Sequence, residues 1–151
     1  MSYLAIEELL AHRSNMLLVE RVLERRGNTI RVLAKADAGA WYAEADGAMP
    51  AWVGIELMAQ AVAALVGLVA READLPPKQG MLLGTREYTS TRPTFTAGTA
   101  LEVVASEVFK EDNGLAAFDA AIELDGETVA RATLKVYEPA DFRSALAQEE
   151  G

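Results

Sequence analysis

The sequence contains no cysteine, which excludes disulfides, thiolate nucleophiles and Cys-ligated zinc or iron–sulfur centres, while leaving the redox compartment open. Histidine is nearly as scarce. His12 stands alone, so a multi-His metal centre is impossible. Basic residues are outnumbered, 14 against 23 acidic ones, and the net charge of −9 provides no broad basic field for a phosphate backbone. A nucleic-acid partner is therefore not expected. Met1–Leu10 lacks the basic and apolar regions of a secretory signal, with Glu7 and Glu8 where the apolar run would lie, so a cytoplasmic location is expected. No internal repeat or low-complexity segment is visible.

What is present is a chain of 151 residues, 51% hydrophobic and 25% charged, the profile of a single globular domain spanning 1–151. Ala48–Ala70 is apolar apart from Glu56 and Gln60 and long enough to cross a bilayer. Those two polar residues would lie deep in hydrocarbon, and the alanines with Gly54 and Gly67 make the stretch only mildly lipophilic, so a buried helix is expected rather than a span. A short helix near Leu4–His12 precedes a hairpin of Met16–Glu24 and Thr29–Ala36. After the long helix come Gly80–Tyr88, Ala100–Lys110, Leu115–Leu124 and Glu127–Tyr137, β-rich runs punctuated by turn signals such as Asp125-Gly126. A helix apolar on all sides must be enclosed. An α+β domain whose antiparallel sheet curls around one central helix, the hot-dog architecture, encloses it; an open sheet would leave one helix face wet.

Glu56 and Gln60 are four residues apart and point the same way from the helix, with Ala63, Ala64 and Gly67 continuing their stripe. Glu56 is thus a candidate general acid/base, with Gln60 orienting it or the substrate and the small residues making room for an acyl chain. Equally, the small residues could admit another helix or strand, with an arginine neutralising Glu56. Pro50 fits an early helical position, which would leave the amides of Ala51 and Trp52 at the positive end of the helix dipole, ready either to hold a thioester carbonyl oxygen or simply to be capped. His12, ending the first helix, has both a capping and a functional reading.

Met49-Pro50-Ala51-Trp52-Val53-Gly54-Ile55-Glu56-Leu57-Met58-Ala59-Gln60 resembles the helix-start motif M-P-G-x-x-x-x-[ED]-x-M-x-Q of the 3-hydroxyacyl-(acyl carrier protein) dehydratases. Leu9-Leu10-Ala11-His12-Arg13 and Met16–Leu23 are similar to that family's L-L-P-H-R-x-P-F-L-L-V-D-R-V segment, and Leu83-Gly84, Arg92-Pro93 and Gly98 echo its later F-L-G…R-P…P-G-D pattern. Ala45–Gln60 and Leu82–Arg86 most resemble the short dehydratases of aryl polyene synthesis. The resemblance implies Glu56 as the group that protonates the departing hydroxyl. The candidate substrate site comprises Gln60, Ala51, Trp52, Gly54, Ala63 and Gly67. The family's catalytic histidine, in G-H-F-P before the helix, is absent; Tyr42–Gly47 stands there instead. His12 is the one imidazole that could substitute, with Glu44 and Asp46 as alternatives.

The resemblance thus implies dehydration of a 3-hydroxyacyl thioester on acyl carrier protein or coenzyme A, in fatty acid or polyene-type synthesis, with no metal or redox cofactor. A hot-dog thioesterase and a non-catalytic acyl-binding partner of an active homologue are the alternatives. In that family the site combines two subunits, so a homodimer or higher, or a mixed dimer with a homologue, is expected. An acidic chain meeting an acidic carrier needs a local basic patch, for which Arg13, Arg21, Arg25, Arg26 and Arg31 are candidates unless they pair with Glu20 and Glu24.

Overall fold

The structure is a computed structural model and describes residues 3–10, 16–75 and 81–137, with only the backbone described for 81–83. Tight turns built from glycine lay out its sheet. Strands β1 (Val19–Arg26) and β2 (Thr29–Lys35) meet at Gly27, whose φ is +55°. Strands β7 (Leu115–Leu124) and β8 (Glu127–Tyr137) meet at Asp125-Gly126, both at positive φ, the geometry that matches the twist of a two-residue hairpin. With β6 (Ala100–Lys110) and β4 (Met81–Ser90) they form one antiparallel sheet in the order β1-β2-β6-β7-β8-β4. Alternate residues of β2 and β6, Ile30, Val32 and Ala34 with Leu101, Val103 and Ala105, are fully buried and line its inner face.

Against that face lies α2 (Val53–Glu72), after the single-turn α1 (Ile6–Leu9). Val53, Leu57, Met58, Ala61 and Ala64 of α2 are all fully buried, so this helix, long and apolar enough to cross a membrane by length and composition, is the core of the domain. The hot-dog arrangement expected from the sequence is the observed one, and β6, β7 and β8 begin and end at the expected residues.

Two details differ. The helix starts at Val53 because Met49–Pro50 forms a two-residue strand, β3, paired with β5 (Thr94–Phe95), so Pro50 sits opposite Thr94 rather than in the first helical turn. Enclosure of α2 is also incomplete. Ile55, Glu56, Ala59, Ala63 and Val66 form a half-buried stripe along one side of the helix.

Candidate active site

The polar residues of α2 are tied to the start of the sheet through one side chain. Gln60 is fully buried. Its Oε1 accepts hydrogen bonds from the amides of Leu18 (2.9 Å) and Val19 (3.3 Å), and its Nε2 donates to the carbonyl of Met16 (2.7 Å) and to Glu56 Oε1 (3.1 Å). Both donors and both acceptor positions of the amide are then in use. The expectation that Gln60 binds substrate is corrected accordingly: it has nothing left to offer a ligand and serves instead to fix Glu56 relative to the segment entering β1.

Glu56 itself is half-buried rather than buried, since it lies on the stripe that the sheet leaves uncovered. It does not line the cleft of about 880 Å³ bounded by Leu17–Glu20, Lys35–Tyr42 and Gly98. Ala63 shares the half-buried stripe, whereas Ala64 turns into the core. Gly67 and Gly54 are explained by packing instead of by room for an acyl chain. A Cβ on Gly67 would lie 2.8 Å from the carbonyl oxygen of Leu9, so its lack of a side chain admits the end of α1. A Cβ on Gly54 would lie 2.5 Å from the hydroxyl of Tyr88 and 2.8 Å from Ile122 Cδ1.

At the start of α2 the expected oxyanion donor is also displaced. The amide of Ala51 donates to the carbonyl of Pro93 (2.9 Å), as the β3–β5 pairing requires, and so is not available to a thioester. Its carbonyl accepts from the amide of Gly54 (2.9 Å) and from the Tyr88 hydroxyl. Among the described residues, the amides of Trp52 and Val53 make no hydrogen bond to backbone outside the helix. The Trp52 ring is 58% exposed and leans on Trp41, 49% exposed, with ring centroids 6.2 Å apart, so an aromatic pair marks the outside of this corner.

Tyr88 was not anticipated. It reaches the corner because β4 bulges at Glu87, which adopts φ +54°, and pairing with β8 shifts register between Arg86 and Thr89. Burial pushes the Tyr88 phenol above the ordinary tyrosine range, so it remains a donor. Sequence carries a faint signal at most, a tyrosine in a β-rich run, because a bulge at a glutamate has no sequence signature.

The loop in place of the family's histidine is built by its own hydrogen bonds. The Tyr42 hydroxyl accepts from the amide of Asp37 (3.0 Å), burial raises that phenol too, and Asp46 accepts from the amide of Ala48 (3.0 Å). Glu44 and Asp46 are exposed. His12 and Arg13 lie outside the described residues. Of the remaining arginines, Arg25 pairs with Glu72, Arg26 with Glu24 (2.5 Å) and Arg31 with Glu123 (2.8 Å) and Glu102 (3.9 Å). The Glu123 bond holds the Arg31 guanidinium above its usual range. Three of the five candidates for a basic patch are thus paired with acids. Among the described residues, no group of three or more His, Asp or Glu side chains is placed to hold a metal ion.

A six-stranded antiparallel sheet around one long helix, with a carboxylate near the start of that helix, defines a hot-dog protein. Residues 4–147 match the model of the ApeP-like family, described as ApeP dehydratase, and the chain belongs to that family. It is similar to a chain of the dehydratase heterocomplex ApeI:P from Xenorhabdus doucetiae, with 25% identity, a TM-score of 0.87, and coverage of 99% of this chain and 100% of that one. A hypothetical thioesterase with coenzyme A from Streptococcus pneumoniae shares the fold, at 14% identity and TM-score 0.59 over 78% of this chain and 84% of the other. So does a conserved protein from Pseudomonas aeruginosa, at 14% identity and TM-score 0.65 over 87% and 97%. No curated protein matches the sequence.

Proposed function

We propose that this chain acts in dehydration of a 3-hydroxyacyl thioester, carried on acyl carrier protein or coenzyme A, to the 2-enoyl thioester of fatty acid or polyene-type synthesis in the cytoplasm. The observation that carries the reading is a half-exposed carboxylate, Glu56, held by the buried Gln60 one turn into the central helix of a member of a dehydratase family. In the reaction the C2 proton goes to a base, the C3–O bond breaks, and Glu56 delivers a proton to the departing hydroxyl, leaving a C2=C3 double bond and water. No electrons are gained or lost overall, so the chemistry calls for no redox cofactor. The thioester oxygen would lie at the amides of Trp52 and Val53, one residue beyond the position expected from sequence. His12 is the proposed base.

The site is completed by a second subunit. The half-buried stripe Ile55, Glu56, Ala59, Ala63 and Val66 is apolar apart from its carboxylate, and β1 and β4 leave the sheet with two edges, so assembly through a strand edge or this helix face would cover what one chain leaves open.

A second reading is favoured by the similarity to a chain of a dehydratase heterocomplex together with the absent G-H-F-P histidine. Here the chain is the non-catalytic partner in a mixed dimer and lends its fold to an active homologue. Product analysis separates these readings. The pure chain turning a 3-hydroxyacyl thioester into its enoyl thioester supports the first; turnover only after a homologue is added supports the second. Release of free thiol by the pure chain would indicate a thioesterase and overturn both.

A further inference from the structure

The turn Ala51-Trp52 joins β3 to α2 and is held from two directions. The amide of Ala51 is fixed by the carbonyl of Pro93, at the far side of the β3–β5 pair. Its carbonyl is fixed by the Tyr88 hydroxyl, which arrives from the edge strand β4. Three local irregularities combine to bring that hydroxyl there. Glu87 takes a left-handed backbone conformation unusual for a residue with a side chain, β4 loses register with β8 at that point, and α2 has a glycine at position 54, where a methyl group would collide with the phenol oxygen and with Ile122 Cδ1. A tyrosine needed only for packing requires neither of the first two.

We infer that Tyr88 is a positioning residue of the proposed dehydration: by donating to the Ala51 carbonyl it sets the direction of the amides of Trp52 and Val53 and the placement of Glu56 one turn later. This inference rests on the dehydratase reading. Tyr88 does not reach the reacting atoms, since its proton is already committed to Ala51, so it acts through the turn. Its effect should therefore fall on the chemical step, where misplacement by about 1 Å costs up to 100-fold, and not on capture of substrate.

The test is Tyr88→Phe, which keeps the ring and removes the donor, assayed with the homologous partner present if turnover requires it. The expected result is a kcat lower by about 10- to 100-fold with KM within about twofold, in protein that remains folded. A second readout follows the turn without catalysis. The chain has two tryptophans, so in a Trp41→Phe background the emission reports Trp52, and acrylamide quenching of it should increase when Tyr88→Phe is added. Gly54→Ala, which crowds both the phenol and Ile122 Cδ1, is the second variant, and Trp52 quenching should increase in it as in Tyr88→Phe. Unchanged Trp52 quenching, an unchanged kcat, or a loss confined to KM would overturn the inference. A wild-type chain inactive in every assembly would instead remove the dehydratase reading, and Trp52 quenching would still decide whether Tyr88 holds the turn.

Discussion

The two ends of α2 are stabilised by different physics. Its first two turns are surrounded by directional bonds from three distant parts of the chain, Met16–Val19 on Gln60 and Pro93 and Tyr88 on Ala51, and Gln60 bonds Glu56 within the helix. Its last two turns rest mainly on apolar contact, with Gly67 against Leu9, Leu65 and Leu68 buried, and a small hollow of about 80 Å³ among Val66, Val69, Leu75 and Phe118, and their polar contacts, Arg71 to the Glu8 carbonyl and Glu72 to Arg25, are at the surface. Directional bonds fix atoms to within tenths of an ångström; apolar packing tolerates repacking. The same helix is thus precise at one end and adaptable at the other, which suits a site near its start.

The largest break in this comparison should come from Glu56→Gln. If the first end is catalytic, kcat should fall by about 10²–10⁴-fold, the usual contribution of a general acid, while the denaturant midpoint moves little because the amide still fills the same half-buried space. Near-normal dehydration by a folded Glu56→Gln chain would remove Glu56 from the mechanism.

Gln60→Leu tests the same end through stability. The volume is nearly kept, but two amides and a carbonyl lose their partner, each worth about 1–3 kcal/mol when left unsatisfied and less where water reaches it. A loss of about 2–4 kcal/mol in chemical denaturation is expected, together with reduced kcat as Glu56 loses its support. A change under about 0.5 kcal/mol would mean that the amide is not the tie between helix and sheet.

This end was also the harder one to read. The apolar alternation of β6, β7 and β8, with Asp-Gly and Asn-Gly turns between them, delimits those strands because both the pattern and the turn residues are local properties. Glu56 and Gln60 were visible for the same reason, as polar interruptions of an apolar helix. What they bond to was not. That Pro93 takes the Ala51 amide, that Tyr88 takes its carbonyl, and that Gln60 spends its whole amide on Met16–Val19 depend on contacts between residues 37 to 44 positions apart, which no local pattern encodes. Gly67 looked like room for a ligand, but a missing side chain looks the same whether a ligand or another part of the chain fills the space.

At the apolar end, Gly67→Ala should cost less. The added methyl gains helix propensity of about 1 kcal/mol but meets the Leu9 carbonyl at 2.8 Å, a backbone atom that can move only if α1 shifts. Overpacking of this kind costs about 1–3 kcal/mol, so a net loss of up to about 2 kcal/mol is expected, read from the denaturant midpoint, with kcat changed less than twofold. A kcat loss as large as that of Gln60→Leu would abolish the distinction between the two ends.

The smallest effect belongs to the last residue of the helix. Glu72 pairs with Arg25 of β1, and the Arg25 Nε also donates to the Gly27 carbonyl (2.7 Å), so the guanidinium stays anchored without its acid. Glu72 is 58% exposed at its side chain, and a surface pair of this kind contributes about 0.2–1 kcal/mol. An acid at a helix C-terminus is opposed by the dipole by a comparable 0.3–1 kcal/mol. Glu72→Gln removes both terms at once, so the stability should move by less than about 1 kcal/mol in either direction, and 1 M salt should shrink the difference further because both terms are screened. A loss above about 1.5 kcal/mol would mean that the far end of α2, too, is held by a directional polar contact, and the contrast between its ends would then rest on Gln60 and Tyr88 alone.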